Sequence, residues 1–173
     1  MDDGLALRAF RAEDLDFLDR LCSDPQALGP FEWVGFGDVR ARRRRWEQDG
    51  YVAPDSTALA VVLSDGTLAG IASWKVRNRS DPDKGLSYEI GLALLPEHRG
   101  HGLGTMAQRL LVDYLLNSTT VHRLEAFTDA ENIAEQKALE RIGFQREGLM
   151  REVVFQNGSW RDAVIYALLR DTQ

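Results

Sequence analysis

The chain has 173 residues, of which 44% are hydrophobic and 28% are charged, and its formal net charge is -6 at pH 7. A chain of this length forms one compact core, so we expect a single domain over residues 1–173. The ordinary composition argues against disorder and against a fibrous architecture. The negative net charge argues against a nucleic-acid partner, because neutralisation of phosphates is the main source of non-specific affinity.

Membrane spans, secretory signals and metal sites are not expected either. No apolar run approaches the roughly 18 residues of a membrane span, and the N-terminal segment is acidic where a secretory signal is basic. We therefore expect a cytoplasmic protein without a membrane partner. Cys22 is the only cysteine, and it shares an apolar helical stripe with leucines, which is typical of a core residue. His98, His101 and His122 lack the spacing of metal ligands.

The first half of the chain is predicted to form two helices and a hairpin. The helices cover Glu13 to Cys22 and Asp38 to Gln48, and Asp38 is the N-cap of the second. Two strands, Thr57 to Ser64 and Thr67 to Val76, flank Asp65-Gly66. This dipeptide favours a tight hairpin because both of its residues tolerate positive φ.

The second half alternates strands and helices before another hairpin. The predicted elements are, in chain order, a polar loop (77–85), an apolar strand (86–95), a helix (102–116), a strand (122–128), a helix (131–142), and the strands 152–155 and 161–169 around Asn157-Gly158. Strand-helix-strand units cross over in parallel, whereas hairpins are antiparallel. The sequence therefore predicts an α/β fold of the mixed α+β type, with a mixed central sheet and helices on both faces.

A glycine-rich segment joins the third strand to its helix. Gly100, Gly102 and Gly104 remove every other side chain, so backbone N–H groups can converge on an anion beside the positive end of the helix dipole. This pattern predicts a phosphate-binding loop, with a plain glycine-rich turn as the alternative. The spacing is that of neither a P-loop, which requires Gly-Lys-Ser/Thr, nor a dinucleotide fingerprint, Gly-x-Gly-x-x-Gly.

The segment Arg99-Gly100-His101-Gly102-Leu103-Gly104 resembles the acyl-CoA signature of the GCN5-related N-acetyltransferase (GNAT) superfamily. Other segments resemble its ribosomal-protein alanine acetyltransferase (RimJ/RimL-like) branch, namely Tyr88–Gly91, His122–Ala126, Glu131-Asn132, Leu139–Phe144 and Glu147-Gly148. The resemblance spans roughly Leu5 to Leu169. It implies a GNAT-type domain that uses acetyl-CoA as co-substrate and acetylates a primary amine, either a protein N-terminus or a small molecule.

The resemblance also implies which residues bind acetyl-CoA. The strand residues Leu92, Ala93 and Leu94 would pair with the pantetheine arm as an added strand does, and a backbone N–H there would stabilise the oxyanion. Asn132 would hydrogen-bond the pantetheine near its thiol end. The residues that would hold the pyrophosphate are Arg99, Gly100, His101, Gly102, Leu103, Gly104 and Thr105.

Two glutamates are candidate catalytic groups. An alkyl amine has a pKa of about 10 and must lose a proton before it attacks a thioester. Glu89 stands where this branch often has a general base that acts through water, and a salt-bridged strand carboxylate is the alternative. The branch usually has serine three residues after Asn132, where this chain has Glu135, and many other members have tyrosine at the position of Leu139. Glu135 is therefore either a second proton shuttle or, as we expect, a solvated helix residue.

Phe31, Trp33 and Phe36 lie where the family's acceptor-binding loop sits, and they are either core residues or a substrate wall. The basic run of Arg40 and Arg42 to Arg45 is interpreted as a solvated helix face that could still attract an acidic acceptor.

Two other functions remain open. One is a catalytically silent acyl-CoA-binding module, and the other, which the acidic composition disfavours, is a nucleic-acid-binding protein built on the arginine run. The sequence identifies no particular amine acceptor, and it leaves the oligomeric state open, a homodimer included.

Overall fold

The computed structural model describes residues 4–33, 35–77 and 86–171. Within them, seven strands form one sheet in the order β1-β2-β3-β4-β5-β7-β6. The strands are β1 (Leu5–Arg8), β2 (Ser56–Leu63), β3 (Leu68–Arg77), β4 (Ser87–Leu94), β5 (Arg123–Asp129), β6 (Gln145–Gln156) and β7 (Ser159–Leu169). The α-helices are α1 (Leu15–Ser23), α2 (Pro25–Leu28), α3 (Val39–Asp49), α4 (Leu103–Ser118) and α5 (Ile133–Arg141).

Both predicted hairpins are confirmed. Strands β2 and β3 pair antiparallel around Asp65-Gly66, where the Asp65 carboxylate accepts a hydrogen bond from the N–H of Thr67 at 2.8 Å. Strands β6 and β7 pair antiparallel around Asn157-Gly158, and both turn residues have positive φ. Strand β6 begins at Gln145, well before the predicted start at Glu152.

The N-terminal prediction was incomplete. Strand β1 precedes the helices and pairs antiparallel with β2, from Leu5 opposite Leu63 to Arg8 opposite Ala60. Its four residues are too few to show a clear alternation, so the partner strand determines its structure. Of the predicted polar loop, Arg77 ends β3, and residues 78–85 lie outside the described part of the chain.

Helices cover both faces of the sheet, as predicted. On one face α4 and α5 bury a cluster that includes Leu111, Leu124 and Leu139. On the other face α1 and the residues after α3 pack on β2, with Leu18 and Tyr51 in that cluster. Cys22 is buried and unpaired. No helix within the described ranges is long and apolar enough to cross a membrane.

Candidate active site

The central feature of the sheet is a gap between β4 and β5. The two strands run parallel and pair over only three residues each, from Ser87–Arg123 to Glu89–Glu125. Beyond Glu89, β4 continues to Leu94 with pairing to β3 alone. The helices α4 and α5 follow the ends of these two strands, so both helix N-termini lie at the open end of the gap. Carboxyl ends of parallel strands are where α/β sheets bind ligands.

The backbone N–H and C=O groups of Leu92 face this gap, because the polar groups of a strand alternate in direction. The N–H of Leu95 donates to the carbonyl of Ala69 on β3 at 2.9 Å, and successive residues of a strand present their polar groups to opposite sides. Ala93 therefore faces Ile71 of β3, whereas the N–H and C=O of Leu92 point toward the missing neighbour. Of the three predicted strand residues, Leu92 has the backbone groups best placed for a ligand.

The glycine-rich loop presents a run of free N–H groups. Gly100 and Gly102 have φ of 80° and 78°, and Gly102 is the N-cap of α4. The first hydrogen bond within this helix runs from the N–H of Met106 to the carbonyl of Gly102. The N–H groups from Gly100 to Thr105 have no acceptor among the described residues, which is the arrangement that binds an anion at a helix start.

Arg99 has a different environment from the one expected for a phosphate ligand. Its guanidinium donates to the carbonyl of Leu94 at 2.8 Å and to that of Ala27 at 2.5 Å. Burial lowers the pKa of Arg99. The side chain thus links the glycine-rich loop to the end of β4 and to α2.

Asn132 and Glu135 lie at the start of α5. Asn132 is the N-cap, and its Oδ1 accepts a hydrogen bond from the N–H of Glu135 at 3.3 Å, which leaves its Nδ2 group as a donor. The Glu135 carboxylate accepts a hydrogen bond from Gln108 of α4. Gln108 is only 2% exposed, so this contact lies inside the space between the two helices.

The expectation that Glu135 is a solvated helix residue is therefore wrong. Its side chain is half-buried, and burial raises the pKa of Glu135, with a smaller contribution from the charge of Glu32. Glu32 is exposed on the surface, but the protein around its carboxylate removes part of its hydration, which raises the pKa of Glu32 as well. The sequence pattern missed Glu32, because a single loop glutamate carries no periodic signal.

Glu89 lies on the face of the sheet opposite α4 and α5, and two cationic side chains contact its carboxylate. The Lys75 ammonium is 2.8 Å from its carboxylate, and the Arg77 guanidinium is 2.5 Å from it. Its side chain is 15% exposed. Glu89 thus has the ion pairs of the alternative interpretation, and it also stands at the last residue pair before the gap.

The three aromatic residues of the predicted acceptor loop differ in their exposure to solvent. Phe36 is 82% exposed and meets the half-buried Trp33 edge to face at a centroid distance of 5.4 Å. Phe31 is also half-buried. The side chain of Gln156, at the end of β6, donates to the backbone carbonyl of Trp33 at 2.8 Å. This bond anchors the loop to the β6–β7 hairpin.

Three buried side-chain oxygens lack a hydrogen-bond partner among the described residues. They are Oε1 of Gln108, Oγ1 of Thr128 and Oε1 of Gln156. Thr128 lies on the part of β5 that follows its last pair with β4, Glu89–Glu125, and Gln108 contacts Glu135. Native proteins satisfy most buried polar atoms, so these three oxygens are exceptions within the described part of the chain. No sequence pattern singled them out.

The arginine run divides around helix α3. Arg43 is ion-paired with Asp19 and Asp16 of α1, and Arg44 is 3.2 Å from Asp38. Arg42 and Arg45, three residues apart and hence on one helix face, line a pocket against the sheet. The interpretation as one solvated face is wrong for these two.

Across residues 4–33, 35–77 and 86–171, no cluster of His, Cys, Asp and Glu is arranged to hold a metal ion.

A sheet split between two parallel strands, with free N–H groups at the following helix start, is the architecture of an acyltransferase that binds acyl-CoA. The chain matches the family model of the acetyltransferase (GNAT) domain over residues 5–145. It belongs to this family, and acetyl transfer from acetyl-CoA to an amine is the reaction that its relatives support.

The relatives cover nearly the whole chain. The N-acetyltransferase YdaF of Bacillus subtilis, whose name places it with ribosomal N-acetyltransferases, is 32% identical over 98% of this chain and 93% of its own. The spermidine N(1)-acetyltransferase of Escherichia coli K12 is 26% identical over 91% of this chain and 82% of its own. The spermidine N-acetyltransferase of Vibrio cholerae, solved with CoA and spermine, superposes with a TM-score of 0.83 at 21% identity, over 96% and 95% of the two chains.

Proposed function

We propose that acetyl-CoA binds in the gap between β4 and β5, and that the amine acceptor approaches from the α3 face. The observation that carries this proposal is the divergence of the two strands after Glu89 and Glu125. It leaves the backbone of Leu92 open beside the N–H groups of Gly100 to Thr105. A pantetheine arm has amide groups that fit the open strand edge, and a pyrophosphate fits the helix start. Asn132 supplies a further donor through Nδ2.

The acyl donor supplies an activated thioester, and the chain's residues direct the transfer. The amine nitrogen forms a bond to the acetyl carbon while the carbon–sulfur bond breaks. The N–H of Leu92 would donate to the carbonyl oxygen, where negative charge develops. Glu89, on the acceptor face, would take the proton that the ammonium loses.

To Glu135 we assign the complementary step, proton donation to the departing sulfur. Its raised pKa allows it to carry a proton closer to neutral pH than an ordinary carboxyl group does. Two carboxylates in different environments can divide acid and base roles in this way. Gln108 orients the Glu135 carboxylate through its side-chain amide.

Of the three aromatic residues, we assign contact with the acceptor to Phe36 rather than to Phe31 or Trp33, because the Phe36 ring is 82% exposed and does not pack in the core. Loop residues of this kind commonly contact ligands. Of the other functions, a nucleic-acid-binding surface finds little support, since the arginine run is divided between ion pairs with α1, a contact to Asp38, and a pocket. A cytoplasmic location stays a prediction, and so does the assembly state.

A thiol-release assay with acetyl-CoA and a panel of primary amines tests this proposal. We expect release that depends on both acetyl-CoA and one class of amine. If no amine of the panel produces thiol release, while CoA still raises the melting temperature, the protein is instead a silent acyl-CoA-binding module. The absence of that rise at millimolar CoA would contradict the binding site itself.

A further inference from the structure

A pocket of about 320 Å³ lies between α3 and the sheet, on the face opposite α4 and α5. Its floor is a row of small residues on three neighbouring strands, because Ala58 of β2 lies opposite Ser73 of β3, and Ser73 lies opposite Gly91 of β4. Gly91 is exposed and directly precedes Leu92. The pocket floor therefore ends at the strand edge that borders the gap.

The far wall of the pocket is positively charged. Arg45 is fixed there, since its guanidinium donates to the backbone and hydroxyl oxygens of Ser56 at 2.9 Å and lies 4.7 Å from the centre of the Tyr51 ring. Its nearest carboxylate is Asp49, at 3.8 Å. Arg42 donates from Nε to the sulfur of Cys22 and has no ion-pair partner within the described ranges.

The near wall combines Glu89 with Lys75, which also lines the pocket. Because Arg77 binds the same carboxylate, the negative charge of Glu89 is already balanced by two cations. Arg45 is 3.8 Å from the Asp49 carboxylate, whereas the positive charge of Arg42 is paired with no carboxylate of the described residues. The charged residues that line the pocket are Arg42, Arg45, Lys75 and Glu89, and together they carry a net positive charge.

We propose that this pocket binds the amine acceptor and selects one that carries an anionic group, a carboxylate or a phosphate, at the end opposite its amine. This proposal rests on the proposed acetyltransferase function and specifies its substrate class. The amine lies at Gly91 and Glu89, next to the thioester, and the anion lies between Arg42 and Arg45.

The dimensions and the charge support a bipolar acceptor. Ser56 and Glu89 occupy one row, two strand spacings apart, so the anion and the amine are separated by roughly 10 Å. This span requires several bonds between the two groups, and the volume lies at the small end of ligand sites. The positive surroundings also favour the neutral, nucleophilic form of the amine. A polyamine would place further positive charge against Arg42 and Arg45, so it is a poor acceptor.

Matched acceptors that differ only in charge provide the test. Glycyl-glutamate amide and glycyl-glutamine amide, whose C-termini are uncharged, have nearly the same shape, and glucosamine 6-phosphate and glucosamine form the corresponding pair for phosphate. We expect kcat/KM for the anionic member of one pair to exceed that of its neutral twin by roughly ten- to a hundredfold, the usual effect of a hydrogen bond to a charged group. Which pair shows the difference distinguishes a carboxylate from a phosphate acceptor.

Variants of α3 locate the effect. Arg42→Gln should bring the two members of the preferred pair to similar kcat/KM, mainly through a higher KM for the anionic one, and Arg42→Lys should retain part of the preference. Arg40→Gln is the matched control, because Arg40 lies on the same helix, is exposed and does not line the pocket. Its preference should equal that of the unmodified enzyme.

A measurement on the unmodified enzyme guards against misfolded variants. Raising the ionic strength should increase KM for the anionic acceptor and leave KM for its neutral twin nearly unchanged. Equal kcat/KM within both pairs, or a higher value for spermidine, would overturn the inference while transfer to neutral amines still supports the acetyltransferase. Failure of every amine would instead contradict the proposed function.

Discussion

Gln108 of α4 donates its side-chain amide to the carboxylate of Glu135 on α5, and this bond joins the two helices that flank the gap. The bond favours the charged form of Glu135, but burial outweighs it and the pKa is raised. The proton on Glu135 is therefore bound more tightly in the folded chain than in the unfolded one. This relationship makes the stability of the protein depend on pH.

The first prediction concerns this pH dependence. The unfolded chain titrates Glu135 near the ordinary value of about 4.3, and the folded chain titrates it at a higher pH. Between the two values the folded state holds more protons, so the free energy of unfolding falls as pH rises. Glu135→Gln removes this loss, and it should raise the melting temperature above the folded-state pKa and have little effect below about pH 4. Glu47→Gln, at an exposed carboxylate of α3, is the control, and an equal effect of both variants would contradict the prediction.

The second prediction concerns Glu89. Glu89→Gln keeps the shape of the side chain but removes its proton affinity, so turnover should fall by roughly 10²- to 10⁴-fold while CoA binding persists. The deficit should shrink at high pH, where the amine is deprotonated by the solvent. A loss that is the same at every pH would indicate that Glu89 only holds Lys75 and Arg77. If Glu135→Gln shows the pH-dependent loss instead, Glu135 is the base.

The third prediction concerns the free N–H groups at the start of α4. CoA should stabilise the protein by roughly 2.7 kcal/mol at a hundredfold excess over its Kd. Gly104→Asp should abolish this effect, because its carboxylate would repel the pyrophosphate, yet an acidic residue in the first turn suits the helix dipole. Gly104→Ala is the matched control, since its Cβ would meet Leu92 and Leu94 only at ordinary contact distances of 3.6 and 3.8 Å. Retained CoA binding in Gly104→Asp would place the pyrophosphate elsewhere.

The fourth prediction concerns the contact between Arg99 and Gly29. A Cβ at Gly29 would lie 2.8 Å from Nη1 of Arg99, and the glycine has a φ of +80°. Gly29→Ala should therefore lower the stability by roughly 1–3 kcal/mol through backbone strain and further through this contact. In an Arg99→Met background the contact is gone and only the strain remains, so the same substitution should cost less. Thermal melts of the four proteins give the coupling energy, and a coupling near zero would show that Arg99 moves aside freely.

The elements that the sequence predicted best are those with local signals. Gly66, Asn157 and Gly158 adopt the positive φ that their turns require, and Asp38 and Gly50 limit α3 as N-cap and C-cap. Strand β1 was missed because its four residues acquire their structure from pairing with β2. The glycine-rich loop of the candidate site was also predictable, because its glycines form a local pattern in the sequence.

The rest of the site depends on contacts between distant residues. The direction of the Arg99 side chain depends on the carbonyl of Ala27, 72 residues away. The burial of Glu135 depends on Gln108 of another helix, and the pocket beside Arg42 depends on small residues of three different strands. No spacing within one segment of the chain reports these relationships.

The three-residue seam between β4 and β5 also coincides with a division of the polypeptide. Strands β1 to β4 all precede α4, and strands β5 to β7 all follow it, so the described part of the chain passes from one half of the sheet to the other once. A molecule bound in the gap, as proposed for acetyl-CoA, would touch both halves and act there as a reversible crosslink. The cohesion of the two halves would then depend on the concentration of that molecule.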